Sequence, residues 1–178
     1  MHVALLRGIN VGGRNVIPMR ELVRAFEETG FTNVSTYIQS GNVLFDAGGG
    51  TIQEITTRIE RELTKRFDYA ARVMVKSKRQ YLAAVAAAPD DWGHDATSKH
   101  NALFLRSGVP AASILAQLPP LRDGLERTTC GPGVIFWSAA AKDVAKTTMM
   151  KLGSHRAFHD VTVRNHKTTW KLRELLTR

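Results

Sequence analysis

The sequence has few of the features that mark secreted, membrane-spanning or metal-dependent proteins. Its single cysteine, Cys130, excludes an internal disulfide framework and fits a reducing cytosol, so we expect a cytoplasmic protein. No apolar run approaches the roughly 20 residues that a membrane-spanning helix needs, so we expect no membrane partner. The apolar start of the chain is interrupted at Arg7 and lacks a charged leader, which favours a buried first strand over a signal peptide.

Metal ligands and catalytic motifs are also scarce. His155 and His159 lie on one candidate helix face, but two ligands without an evident third do not make a zinc site, so we predict neither metal nor cofactor. The segment Leu5–Gly13 (LLRGINVGG) has neither the glycine spacing of a dinucleotide fingerprint nor the Gly-Lys-Ser/Thr of a P-loop. No neighbour marks Cys130 as an activated thiol, and we expect it to be half-buried in a hairpin strand.

Acidic residues are few relative to basic ones. The chain has 25 Lys and Arg residues against 16 Asp and Glu, a formal net charge of +9, and its pI is about 10.1. The stretch from Lys142 to Arg178 carries nine basic and three acidic side chains, so two thirds of the excess lies there. Such a stretch is typical of a surface that faces phosphates. A solvated basic face that only keeps the protein soluble is the alternative.

Hydrophobic spacing predicts an α+β fold. In the first half, the predicted strands are Val3–Leu6, Val34–Ile38, Val43–Phe45 and Arg72–Val75, with helices opening after Pro18 and after Thr51. The resulting order β-α-β-β-α-β is the ferredoxin-like arrangement. The Thr51–Glu54 spacing has the form of a capping box, which marks the start of the second helix.

The second half has a weaker but similar pattern. We expect a loop over Pro89–His100, a helix over Val144–Leu152, a short extended piece at Val161–Val163 and a last helix from about Thr168. The order is β-α-β-β-α, closed by the short extended piece. We therefore predict two ferredoxin-like halves, residues 1–77 and 78–178, with antiparallel sheets and helices packed on one face.

Three polar segments lie where strands end. Leu5–Gly13 offers glycine amides that suit an anion, with Arg7 and Arg14 beside them. Tyr37–Asn42 (YIQSGN) is a hairpin tip whose side chains both donate and accept hydrogen bonds. Each of these two segments also has a structural interpretation, as a turn whose side chains satisfy its own backbone.

The third segment, Thr162–Thr168 (TVRNHKT), precedes the last helix. The planar guanidinium of Arg164 suits bidentate contact with a phosphate or a carboxylate. Asn165 and Thr168 are equally suited to cap the helix, which is the structural alternative for this segment.

The three segments together resemble a bacterial family catalogued as a domain of unknown function, family sixteen-ninety-seven. Its members begin with LLRGINVGG, carry YIQSGN at the first hairpin and end with Thr-x-Arg-Asn-x-x-Thr before a Lys-Leu helix. The residue after the Arg-Asn pair is commonly tryptophan in the family and is His166 here. The resemblance implies a small α+β protein with ferredoxin-like halves, and it implies no agreed activity.

Taken as one site, the motif residues are rich in hydrogen-bond donors and contain no carboxylate. The predicted ligand-binding residues are Arg7, Asn10, Gly12, Gly13, Gln39, Ser40, Asn42, Arg164, Asn165 and Lys167. Only His166 and Lys167 suit proton transfer, which favours holding a phosphate-bearing partner, nucleic acid first, over breaking a bond. The alternatives are a small enzyme that acts on an anionic metabolite or nucleotide, and motifs that serve the fold alone.

Overall fold

The computed structural model describes residues 1–13 and 15–178, which form two compact units. Unit 1 comprises residues 1–81 with Arg178, and unit 2 comprises residues 82–177. Arg14, which the sequence places beside the glycine amides, lies outside the described residues. Within the described ranges, no helix is both long and apolar enough to cross a membrane.

Unit 1 is built in the order β-α-β-β-α-β. Its elements are β1 (His2–Leu6), α1 (Met19–Glu28), β2 (Thr32–Tyr37), β3 (Asn42–Asp46), α2 (Ile52–Phe67) and β4 (Val73–Ser77). The four strands form an antiparallel sheet, sheet I, in the order β2-β3-β1-β4. This is the ferredoxin-like arrangement, so the fold predicted for the first half is confirmed.

The start of α2 shows how local chemistry fixes this order. Thr51 Oγ1 accepts a hydrogen bond from Glu54 N (3.2 Å), and the Glu54 carboxylate accepts one from Thr51 N (2.7 Å), which completes the predicted capping box. From that start, the buried stripe Ile55, Ile59 and Leu63 packs into the core between α2 and sheet I. The cap at Thr51 therefore sets where the helix begins, and with that start the apolar face of α2 lies against sheet I.

Unit 2 repeats the strand order of unit 1. After α3 (Lys78–Ala86), its elements are β5 (Ser98–Leu105), α4 (Ala111–Leu115), β6 (Glu126–Gly131), β7 (Val134–Ala140), β8 (Val161–Asn165) and α5 (His166–Thr177). The strands form a second antiparallel sheet, sheet II, in the order β6-β7-β5-β8. Numbered within the unit, this order equals that of sheet I, so the prediction of two ferredoxin-like halves is confirmed.

The helix predicted over Val144–Leu152 is wrong. The chain between β7 and β8 instead forms three 3-10 turns, Ala141–Lys146, Met149–Ser154 and Arg156–Asp160. Thr147 Oγ1 donates to Val144 O (2.7 Å) and Thr148 N donates to the Glu126 carboxylate (2.6 Å). The Val144 carbonyl and the Thr148 amide are therefore used outside the i→i−4 hydrogen bonds of an α-helix, because side chains compete with the helix for these main-chain groups.

The loop predicted over Pro89–His100 is wrong at its end. β5 begins at Ser98, and His100 lies opposite Ser138 of β7. Trp92, within the predicted loop, is fully buried. Main-chain pairing with β7 extends the strand through residues whose polar side chains suggest a loop, since strand propensity depends on context.

Two smaller predictions also change. α5 begins at His166 instead of Thr168, because Asn165 Oδ1 accepts a hydrogen bond from Thr168 N (2.8 Å) and caps the helix. Cys130 lies on β6, a hairpin strand as predicted, but its side chain is exposed and not half-buried.

Gly41 lies where the β2–β3 hairpin packs closely against Leu6 of β1 and the following Ile9. It has a φ of 71°, and a Cβ there would lie 2.7 Å from Leu6 Cβ and 2.8 Å from Ile9 Cδ1. Gly48 has a φ of 69°, but a Cβ there would meet nothing within 4 Å. Alanine at either position carries left-handed strain of about 1–2 kcal/mol, and only Gly41→Ala adds overpacking of about 1–3 kcal/mol.

We therefore expect urea denaturation to show a larger loss in the free energy of unfolding for Gly41→Ala than for Gly48→Ala, by about 1–3 kcal/mol. Equal losses in the two variants would show that contact with Leu6 and Ile9 does not constrain the hairpin.

Candidate functional site

The first motif is organised by the side chain of Asn10. Its Nδ2 donates hydrogen bonds to Ile17 O (3.0 Å) and Gln39 O (2.8 Å), and its Oδ1 accepts one from Ile17 N (2.7 Å). One amide thus closes the glycine-rich loop and ties it to the hairpin tip. The structure therefore brings the first two motifs together in unit 1, and Asn10 joins them through structural bonds.

The hairpin tip is largely satisfied by its own side chains. Asn42 is fully buried, and its Nδ2 donates to Tyr37 O (3.0 Å) and to Ser40 Oγ (3.0 Å). Ile38 is nearly half exposed and has a φ of 48°, which is an unfavourable conformation for a β-branched residue. The side chain of Gln39 is exposed, while its main-chain oxygen receives the Asn10 bond.

The predicted residues of unit 1 differ in exposure. Gly12, Gly13 and Gln39 are exposed, Arg7 and Ser40 are half-buried, and Asn10 and Asn42 serve the turns. The exposed members of this set therefore present mainly main-chain groups. Their part in ligand binding stays a prediction.

Arg164 lies in the interior of unit 2. It is 7% exposed, and its Nη1 donates to Thr162 Oγ1 (2.9 Å) and to Val163 O (2.8 Å). A buried charge needs such partners because its desolvation is costly. Replacing Arg164 therefore perturbs the stability of β8 as well as any ligand contact.

The third motif becomes the start of α5. The cap by Asn165 places His166 and Lys167 in the first turn of this 12-residue helix. The first turn of a helix carries a partial positive charge, which favours anions. Lys167 is exposed and His166 is half-buried at this end.

The first turn of α5 and the segment before β5 enclose a cleft of about 500 Å³ within unit 2. We call it the histidine cleft. Its polar lining includes His94, Lys99, His100, Asn101, Asn165, His166 and Lys167. It unites two predicted ligand residues, Asn165 and Lys167, with residues that the sequence reasoning did not single out.

His100 has an incompletely satisfied ring at the wall of the cleft. The residue is 2% exposed, and its Nδ1 lies 2.8 Å from Ser138 Oγ on the neighbouring strand. Its Nε2 is buried and has no hydrogen-bond partner among the described residues. An orphaned buried polar atom costs about 1–3 kcal/mol, and such atoms call for a functional or structural explanation.

The ring of His166 is held by aromatic packing. It meets the rings of His100 and Trp92 edge to face, with centroids 5.7 Å and 6.3 Å apart. Gly93 has a φ of 88°, and a Cβ there would lie 3.0 Å from His166 Cβ. The absence of a side chain at Gly93 therefore lets the segment before β5 approach the histidine.

Burial, followed by the charges of His100 and Lys167, lowers the pKa of His166 below its ordinary value of 6.5. The charge of His94 acts in the same direction, while the main chain of His100 raises the pKa. His166 is therefore neutral at pH 7, and one ring nitrogen carries a lone pair.

Asp95 is the one acidic side chain among the described residues that line the cleft. Its Oδ1 accepts hydrogen bonds from Thr97 N (2.8 Å) and Thr97 Oγ1 (2.7 Å), and its Oδ2 accepts one from Ser98 Oγ. These bonds, that of Ser98 first, lower the pKa of Asp95 to about 2. Among the described residues, no group of three or more His, Cys, Asp or Glu side chains could hold a metal ion.

His94, Lys99 and His100 were missed because they lie in the segment interpreted as a loop. The available signal was the large apolar ring of Trp92 inside a polar run, which indicates a buried anchor. The pairing of His100 with Ser138 depends on the register of β5 against β7, which local sequence does not reveal.

Comparison with known proteins supports the motif resemblance and the fold. The family described as "Protein of unknown function (DUF1697)" matches residues 1–136 of the 178-residue chain, a range that ends before β8 and α5. No curated protein matches the chain. The structure of the conserved bacterial protein SP0830 from Streptococcus pneumoniae is similar, with a TM-score of 0.85 and 27% identity over 98% of this chain and 97% of that one.

The Asn10 bonds lead to a stability prediction. Asn10→Asp keeps the acceptor and the size of the side chain but removes the donors to Ile17 O and Gln39 O. We expect a loss of about 1–3 kcal/mol in the free energy of unfolding, measured by urea denaturation. Gln39→Ala is the control, because it keeps the main-chain acceptor and should change stability by less than about 0.5 kcal/mol. An Asn10→Asp variant as stable as the wild type would show that these bonds do not hold the loop to the hairpin.

Proposed function

We propose that in this chain, which belongs to the DUF1697 family as its motifs predict, the histidine cleft binds a small phosphate-bearing molecule. The family's description names no activity, so the proposal is argued from the residues of the cleft. The observation that carries the proposal is the convergence of Lys99, Lys167 and the first turn of α5 on one cleft. Its volume of about 500 Å³ lies within the range of small-molecule sites.

The charges of the cleft favour an anion. Lys99 and Lys167 are exposed, and neither ammonium group forms an ion pair with a described residue. Asp95, the opposing carboxylate, is occupied by Thr97 and Ser98. The two lysines are therefore available to a phosphate group, which lysine binds as a point charge.

The amide side chains add directional contacts. Asn101 and Asn165 lie opposite each other in the register of β5 and β8, and both line the cleft. Asn165 Oδ1 is occupied by the helix cap. The amide nitrogens of such side chains donate hydrogen bonds and suit the oxygens of a phosphate, ribose or base.

Nucleic acid is the second candidate, because basic side chains outside the cleft are exposed in unit 2. Lys142, Lys151 and Arg156 are examples on the 3-10 turns. A polymer bound through such residues would be held by many phosphates and would dissociate steeply as salt rises. The bounded volume of the cleft favours the small ligand.

Lys167→Ala tests the proposal. We expect the affinity for adenosine monophosphate, measured by isothermal titration calorimetry, to fall by about tenfold or more, because a charge-assisted contact contributes about 1.5–3 kcal/mol. Lys151→Ala is the matched control, since it removes the same charge from an exposed position outside the cleft.

Three results would contradict the proposal. Wild type that does not bind adenosine monophosphate or inorganic pyrophosphate excludes this ligand class for the cleft. Equal losses in Lys167→Ala and Lys151→Ala would indicate attraction by overall charge. Binding of a single-stranded DNA oligonucleotide that is tighter than that of the mononucleotide and equally weakened by both variants would favour nucleic acid.

A further inference from the structure

The histidine cleft contains more than a phosphate-binding site needs. His166 and His100 lie in edge-to-face contact, and the ring of His166 is half-buried at the cleft wall. His100 Nε2, in a residue that is 2% exposed, has no described partner. Lysines and amides alone would suffice for an anion, so the histidine pair requires a separate explanation.

The contacts of His166 define which of its nitrogens is available. The main chain of His100 raises the pKa of His166, which assigns the ring nitrogen on that side as the one that carries the proton. In the neutral ring the other nitrogen is then the acceptor. Contact with the rings of Trp92 and His100 and the close approach of Gly93 limit the directions that the ring can take.

We infer that the histidine cleft hydrolyses a phosphodiester bond, with His166 as the general base that activates water, an inference that rests on the proposed binding of a phosphate-bearing ligand. His166 meets the geometric conditions for a base: it lines the cleft, ring contacts with Trp92 and His100 restrict its orientation, and Lys167, which would hold the phosphoryl oxygens, lines the same cleft. His100 is a positioning residue, because its ring packs edge to face against the ring of the base.

The step balances with water as the only co-reactant. The acceptor nitrogen of His166 takes a proton from water, and the water oxygen supplies the electron pair of the new P–O bond. The P–O bond to the leaving group breaks, and its electron pair stays on the leaving oxygen. That oxygen takes a proton from the imidazolium or from solvent, so a diester and water give a monoester and an alcohol.

The charge of the cleft favours a diester over a monoester. Lys99 and Lys167 face one carboxylate, that of Asp95, and His166 is neutral at pH 7, so these groups sum to a single positive charge. A phosphodiester carries one negative charge at neutral pH, whereas a monoester carries nearly two. The substrate class is therefore a diester of nucleotide size, and a monoester such as adenosine monophosphate binds the same cleft as a product of the hydrolysis would.

The test measures nitrophenolate release from the para-nitrophenyl ester of thymidine monophosphate by wild type and His166→Asn. We expect kcat/KM to fall by about a hundredfold or more in His166→Asn, because a positioned general base contributes about 10²–10⁴-fold. His159→Asn is the matched control, since His159 is exposed on a 3-10 turn outside the cleft. Turnover by wild type that His166→Asn leaves unchanged overturns the inference.

Calorimetry with adenosine monophosphate on the same proteins separates the two proposals. Wild type that binds the nucleotide but releases no nitrophenolate overturns the catalytic inference and leaves the proposed function standing. Wild type that binds no nucleotide and cleaves no ester overturns both. Nucleotide binding by His166→Asn at nearly the wild-type affinity, with turnover lost, supports the inference and excludes simple unfolding.

The pH profile gives a readout that a purely structural role of His166 would not produce. As a base, His166 must be neutral, so kcat/KM should rise with pH through a pKa below 6.5 and then level off. The charges of His100 on β5, Lys167 on α5 and His94 before β5 lower the pKa of His166, the main chain of His100 raises it, and Asp95 lines the same cleft. A profile that is flat between pH 4 and pH 8 would overturn the assignment of the base.

Discussion

The position of β5 between β7 and β8 is the constraint on which the candidate site depends. Pairing on one side places His100 opposite Ser138, and pairing on the other places Asn101 opposite Asn165, the cap of α5. A shift of one residue in either register would turn the side chains of β5 to the other face of sheet II. The chemistry of the cleft is therefore set by main-chain hydrogen bonds between strands distant in sequence.

The polar residues of the three motif segments have two different roles, one in the fold and one at the cleft. Asn10 and Asn42 satisfy main-chain groups in the loop and hairpin of unit 1, and Arg164 bonds within β8. Asn165 has both roles, since it caps α5 and lines the cleft. A donor-rich motif is therefore weak evidence for a ligand by itself, because turns need the same amides and hydroxyls that ligands need.

The strand order and the helix starts could be predicted because their signals are local. The Thr51–Glu54 capping box and the apolar spacing of α2 are examples, and both fix structure within a few residues. The 3-10 turns before β8 could not be predicted, since Thr148 N bonds to Glu126 on another strand. The cleft could not be predicted either, because Lys99 and Lys167 line one cleft only through the pairing of β5 with β8.

Gly93 has a consequence for how this chain can diverge. A Cβ at Gly93 would lie 3.0 Å from the Cβ of His166 and 3.1 Å from the indole nitrogen of Trp170, so any larger residue there crowds both side chains. Substitutions at Gly93 and at His166 are therefore not independent events. A side chain gained at Gly93 must adopt a left-handed backbone conformation and displace the Cβ of His166 and the indole nitrogen of Trp170 by a few tenths of an ångström, so the cost of that change depends on how far both neighbours can shift.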